Sequence, residues 1–223
     1  MKKLFIALVV VGLASVSQAD VILGWDMSGQ TGSQANQLAG TIDGDLLTTA
    51  GLNDLTRTGL NAASGANSFN SQNWNIGAFS DANDYISFTL QAASGFGLDL
   101  WSLDYRSNGS GTAPGTGRWG YRIGSGSWTY QTEWAMSTTS TAGSWDMADV
   151  TGITDSVEFR FWVYGSTSIT GGASSTGGSG RLGPNAAGND VVLNGTIGAI
   201  PEPTVLALLA IGGLAIVRFA RRR

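Results

Sequence analysis

Apolar and polar positions alternate with period two over much of residues 20–199. In Val157–Tyr164, Val157, Phe159, Phe161 and Val163 alternate with Glu158, Arg160, Trp162 and Tyr164. One wholly apolar face at that period predicts a half-buried strand. Leu98–Arg106 reads the same way, with Trp101, Leu103 and Tyr105 opposing Leu100, Ser102 and Asp104. Trp119, Tyr121 and Ile123 share a face in the next segment, and Trp128, Tyr130 and Trp134 alternate in another. Tyr85–Leu90 is a strand announced by the turn-like Asp81-Ala82-Asn83-Asp84, while Val21–Trp25 and Val191–Ile197 read as the first and last strands. No stretch of 10–15 residues has convincing helical spacing. The expected fold is therefore all-β, an antiparallel β-sandwich. A jelly-roll-like order is preferred, because first and last strands often pair there, and a barrel is the alternative. Residues 26–75 are least legible, with a strand expected around Gly40–Leu47. Gly165–Gly180 is nearly all Gly, Ser and Thr and is expected to be a flexible loop inside the domain.

Two longer apolar runs flank this region. Residues 1–19 join Lys2 and Lys3 to an apolar run from Leu4 to Ala14 and end in Ser17-Gln18-Ala19. This is the pattern of a secretory signal peptide cleaved after Ala19, and it implies the Sec export machinery and signal peptidase as partners. Residues 200–223 carry Pro201-Glu202-Pro203, an apolar run from Val205 to Val217, then Arg218, Arg221, Arg222 and Arg223. Proline breaks a helix, so the run starts a separate element. Thr204–Val217 spans about 21 Å as a helix against a hydrocarbon core of about 30 Å. Snorkelling of Arg218 extends it to Ala220. The terminal arginines orient the expected single transmembrane helix with its end in the cytoplasm and the domain outside. The organisation is thus 1–19 signal peptide, 20–199 β-sandwich and 200–223 tail.

Composition narrows the chemistry. The chain has no Cys and no His, which removes disulfides, thiolate nucleophiles, Ser-His-Asp triads and imidazole metal ligands. Residues 20–200 hold no Lys, six Arg and 15 Asp and Glu, a net charge of −9. Such a surface repels phosphate backbones, so nucleic acid is excluded as a partner.

Carboxylates are the remaining catalytic candidates. A glycosidase or lyase needs two of them about 5–9.5 Å apart, and Glu133, Glu158, Asp99 and Asp104 are the strand-borne choices. Solvated strand-face carboxylates explain them equally, and the expected class is not an enzyme. A glycan-binding role has more support. Eight Trp lie in the domain, and Trp162 and Tyr164 project from the second face of their strand beside Arg160. They are candidate glycan contacts, or core if that face is covered. No cofactor is expected. Asp81, Asn83 and Asp84, and Asn189 and Asp190, are oxygen-rich clusters that suit a structural calcium and that Asx turns equally explain.

The tail resembles the PEP-CTERM sorting signal of Gram-negative bacteria that make extracellular polysaccharide. Its three elements, the Pro201-Glu202-Pro203 motif, the short helix and the Arg cluster, stand in order within the last 23 residues. The resemblance implies recognition by an exosortase-type membrane protease, with Pro201, Glu202 and Pro203 as substrate residues. It further implies inner-membrane anchoring and then delivery to the cell surface or extracellular matrix, with extracellular polysaccharide as a partner. The domain itself is loosely similar to β-sandwiches of such proteins, through Gly24-Trp25-Asp26, the Tyr85–Phe88 strand, and Gly180-Arg181-Leu182 followed by Val191–Ile197. No chemistry is attached to that similarity.

Overall fold

The computed structural model describes residues 20–183 and 188–200. The expected signal peptide with its Ala19 cleavage site and the tail from Pro201 through Arg223 lie outside the described residues. The strands are β1 (Asp20–Trp25), β2 (Thr41–Ile42), β3 (Thr56–Thr58), β4 (Asn61–Ala62), β5 (Phe69–Gln72), β6 (Tyr85–Leu90), β7 (Phe96–Gly109), β8 (Pro114–Ile123), β9 (Thr129–Tyr130), β10 (Trp134–Ala135), β11 (Thr141–Ile153), β12 (Val157–Ser168), β13 (Gly180–Leu182) and β14 (Val191–Ala199). Among the described residues there is no helix.

The strands form an antiparallel sandwich of two sheets. The larger sheet has eight strands, β2-β1-β14-β7-β13-β5-β4 with β11 on the free edge of β7. The smaller has six, β10-β8-β12-β6-β3 with β9 also on β8. First and last strands pair, Trp25 opposite Val191. The alternating pattern of β12 places Val157, Phe159, Phe161 and Val163 in the space between the sheets, all fully buried. Leu98, Leu100, Leu103 and Tyr105 of β7 face them from the larger sheet, with Trp25, Phe69, Leu182, Val191 and Leu193. Rings dominate the contact. Phe88 stacks on Phe159 at 4.7 Å, Trp119 lies 5.1 Å from Phe161, and Trp74 meets Phe161 edge-on at 5.9 Å. Two buried indoles keep hydrogen bonds: Trp25 Nε1 donates to Asn53 O and Trp74 Nε1 to Ser71 O.

β7 departs from simple alternation. Its register with β14 slips between Ser102, opposite Asn194, and Leu100, opposite Gly195. Trp101 is the extra residue of this bulge. The slip turns Leu100 inward beside Leu103 and leaves Trp101 only partly buried, reversing the expected grouping of Trp101 with Leu103. A side chain at position 195 would collide with Asp99 O, so Gly195 is required at the slip.

The Gly165–Gly180 stretch is not a free loop. β12 runs on to Ser168, and the remainder is fastened by Ile169 N to Ala113 O, Ser175 N to Thr112 O and Ser168 N to Gly172 O. The strand expected around Gly40–Leu47 is the two-residue β2.

One edge of the sandwich is closed by Arg57, on edge strand β3 of the smaller sheet. Its guanidinium donates to Gln34 O at 2.6 Å, Gly32 O at 2.9 Å, Asn70 O at 2.8 Å and Ser71 Oγ at 2.8 Å. It lies 3.6 Å over the Phe69 ring of the larger sheet. Carbonyls, rather than a carboxylate, hold this cation, and burial lowers its pKa to about 10. Replacing Arg57 with Met removes a charged donor from three carbonyls and leaves Gln34 O without another donor, since Gly32 O and Asn70 O still accept Asn70 N and Ala63 N. Chemical denaturation is expected to show a loss of about 3 kcal/mol, recovered only in part by Arg57→Lys, which lacks the planar fork.

Burial also raises Tyr105, whose hydroxyl donates to Gln131 Oε1, to a pKa of about 12 from 10.0. With the folded-state pKa above the unfolded one, stability from the neutral phenol is complete below pH 10 and lost as pH rises from 10 toward 12. Tyr105→Phe should flatten the fall of stability across that interval, measured by denaturation at stepped alkaline pH.

Candidate functional site

The second face of β12 carries Glu158, Arg160, Trp162 and Tyr164, and sequence alternation correctly sends all four away from the main core. They do not reach water as a binding surface. Trp162 is 2% exposed and Tyr164 7%. Phe79 covers both, 5.4 Å from Trp162 and 5.1 Å from Tyr164. Trp128 meets Trp162 edge-on at 5.4 Å, Tyr130 lies 6.0 Å away, and Tyr85 closes the cluster from β6 at 6.1 Å. The expectation that Trp162 and Tyr164 contact glycan is therefore corrected. They are the floor of a second, smaller core on the outside of the sheet. Gly120 makes room for it, since a Cβ there would stand 2.9 Å from Tyr130 and 3.0 Å from Trp162.

Three arginines bind this layer together. Arg160 Nε donates to Glu158 Oε1 at 2.6 Å and its Nη1 to Asp81 O at 2.8 Å, while the guanidinium lies 3.9 Å over Tyr85 and 4.5 Å over Trp128. Arg122 Nε donates to the other Glu158 oxygen at 2.8 Å and sits 5.0 Å over Trp128. Arg118 pairs with Glu133 and lies over Phe79 and Tyr130. A guanidinium keeps its in-plane donors for carboxylates while its face rests on a ring, which a lysine ammonium cannot do. The Tyr130 hydroxyl donates to Asp81 Oδ2 at 3.1 Å, and burial raises the pKa of this phenol. Burial likewise raises Tyr164.

What faces solvent is the upper layer. Tyr130 is 36% exposed, and Trp128 and Phe79 are half-buried. The Trp128 and Tyr130 rings are nearly parallel, 22° apart, with centroids separated by 6.5 Å. The pair is flanked by hydrogen-bonding groups from Arg118, Arg122, Glu133 and Asp81. Sequence reasoning placed Trp128 and Tyr130 on one strand face without assigning them a role. The available signal was the number of rings, more than one sandwich interior needs.

The other predicted residues are scattered. Glu133 and Glu158 belong to the ion pairs above, on the smaller sheet. Asp99 and Asp104 are on the larger sheet, and the β7 bulge turns both outward rather than to opposite faces. Asp99 Oδ1 accepts Gly152 N at 2.6 Å, while Asp104 accepts from Asn194, Ser102 and Ser144. The four carboxylates thus divide between two sheets. Of the residues weighed for calcium, Asp81 is engaged by Tyr130 and Arg160, and Asp84 holds a positive φ of 62° in the turn. Asp190 Oδ2 accepts Met27 N, and Asn189 reaches Thr41. Among the described residues no three carboxylates converge as a metal site would need.

No family model matches the chain, and no curated protein matches it. Solved structures do. The chain is similar to the carbohydrate-binding module TmCBM61 in complex with β-1,4-galactotriose, at 11% identity over 62% of this chain and 74% of that one, with a TM-score of 0.34. It is also similar to a mutant of the family 29 carbohydrate-binding module CBM29-2, at 9% identity over 79% of this chain and 93% of that one, with a TM-score of 0.40. The likeness is one of β architecture and transfers no residue role.

Proposed function

We propose that the chain is an exported, non-catalytic surface or matrix protein that binds glycan through the Trp128–Tyr130 face of its smaller sheet. The observation that carries the binding reading is the pair of near-parallel, solvent-reaching rings on a rigid aromatic floor. A pyranose ring has an apolar C–H face that removes ring surface from water, and its hydroxyls need donors and acceptors at the rim. Arg118, Arg122, Glu133 and Asp81 supply both. Glu133 and Glu158 are each held by arginine, which favours binding over acid–base chemistry at those carboxylates. Pairing of β1 with β14 favours a jelly-roll-like order for the sandwich.

Delivery rests on the two ends. A leader cleaved after Ala19 exports the chain, the C-terminal helix holds it in the inner membrane, and an exosortase-type enzyme acts near Pro201-Glu202-Pro203. The cytoplasmic arginines Arg218, Arg221, Arg222 and Arg223 set the orientation. The domain then reaches the surface or the polysaccharide matrix.

Retention of the full chain on immobilised polysaccharides, in a detergent without a sugar headgroup, tests the binding reading. Trp128→Ala should weaken retention about tenfold while the domain stays folded, with a melting temperature below the parent's because Trp128 also packs on Trp162. Retention equal to the parent would overturn the aromatic face as the site, and no retention on any neutral or acidic polysaccharide would overturn glycan binding altogether. Intact mass of the protein from surface and membrane fractions tests delivery. A surface species from Asp20 to the Pro201–Pro203 region is expected, whereas a species that keeps Arg223 and stays in the membrane would refute the sorting step.

A further inference from the structure

β13 and β14 are two pieces of one broken strand. Both run antiparallel along the same edge of β7, β13 opposite Ser107–Gly109 and β14 opposite Phe96–Tyr105. Arg106 falls between the two registers, and its backbone joins them: its N–H donates to Asp190 O at 2.8 Å and its carbonyl accepts Gly183 N at 3.0 Å. At this junction the outer face of the larger sheet sinks into an open depression of about 390 Å³. That volume lies within the range of small-molecule sites.

The depression is furnished for hydroxyl groups. Asp104 stands on one wall, fixed by Asn194 Nδ2 at 2.7 Å, by Ser102 Oγ at 3.3 Å and by Ser144 Oγ. A carboxylate has about four acceptor positions, so three donors orient it and leave one free. Arg106 stands nearby, and its side chain makes no hydrogen bond or ion pair among the described residues. It contrasts with Arg57, Arg118, Arg122 and Arg160, each tied to several groups. Asn189 adds an amide and Val192 an apolar surface between the polar groups. Oriented acceptor, unengaged planar donor and small apolar floor together suit a vicinal diol. An acidic sugar is disfavoured, because Asp104 and Asp190 both line the depression.

We propose that this depression is a second ligand site, on the sheet opposite the Trp128–Tyr130 face, taking a neutral pyranose through its vicinal hydroxyls. Asp104 accepts from one hydroxyl, and Arg106 donates to its neighbour. The proposal depends on the glycan reading above only for the class of ligand, since the two sites share no residue.

Titration calorimetry tests it, with the full chain in a detergent lacking a sugar headgroup and neutral trisaccharides of galactose, glucose, mannose and xylose as probes. At least one probe is expected to bind at two sites per chain. Arg106→Gln should remove one site, weakening it at least about tenfold, and Trp128→Ala the other. Arg106 has no side-chain partner to lose among the described residues, so its variant should melt like the parent. Ala142→Leu, an exposed position on the rim, fills the depression and should repeat the loss. Two sites surviving both Arg106→Gln and Ala142→Leu, or all binding vanishing with Trp128→Ala alone, would overturn the second site while glycan binding stands. Binding sensitive to Arg106 but indifferent to Trp128 would support the second site and remove the first. No heat with any probe would remove both.

Discussion

β12 has no side that can be left to water. It is hydrogen-bonded along one edge to β8 and along the other to β6, so its backbone is fixed at the centre of the smaller sheet. Its even and odd positions both carry large side chains, and each set has to be covered by something different. The apolar set meets the larger sheet. The other set, containing Trp162 and Tyr164, cannot meet a second sheet, because the outer face of a two-layer sandwich has none. The chain covers it with residues from its own loops, Phe79 before β6 and Trp128 beside β9. Covering by loops is incomplete at the rim, and that incompleteness brings Tyr130 and Trp128 to the surface. The candidate binding face thus follows from the need to bury the strand below it.

Arginine is the only cation of the domain, and its planarity is used repeatedly. A guanidinium can lie flat on a ring and still direct N–H groups sideways, so it desolvates one face with little loss of hydrogen bonding. Arg160 does this between Tyr85, Trp128 and Glu158, and Arg118 between Phe79 and Glu133. Arg57 does it without any carboxylate, using backbone carbonyls that include Gln34 O and Gly32 O. The absence of lysine is consistent with these positions, since an ammonium has no flat face to rest on a ring.

The sequence was most legible where strands are regular and paired on both edges. Val157–Tyr164, Tyr85–Leu90 and Trp119–Ile123 show their period plainly because nothing interrupts it. Leu98–Arg106 was found as a strand but its faces were misassigned, because the extra residue at Trp101 shifts the phase without leaving a turn signal. β11 was missed altogether. Its register slips twice, between Asp146 and Val150 and again before Ile153, so no single alternation runs through it. Several short strands of residues 26–75 owe their existence to pairing partners distant in sequence, such as β5 with β13 and β3 with β6. The two faces of β12 were read correctly, yet periodicity cannot say whether a face is covered from outside. That was decided by Phe79 and Trp128 from two separate loops and by Tyr130 of β9. The depression beside Arg106 was equally hidden, because it arises from a break between β13 and β14 that only the pairing with β7 exposes.

β14 is held on both edges, by β1 and by β7, over most of its length. It is also the last strand among the described residues, so a pull applied at Ile200 acts along its axis. Tension in that direction shears both ladders at once, and their hydrogen bonds share the load in parallel instead of opening one after another. A strand at the sheet edge pulled sideways would unzip at low force. If the domain grips a polymer while its end is tethered, the mechanical weak point should therefore lie in the grip and not in the fold, and the domain would release its ligand under flow before it unravelled.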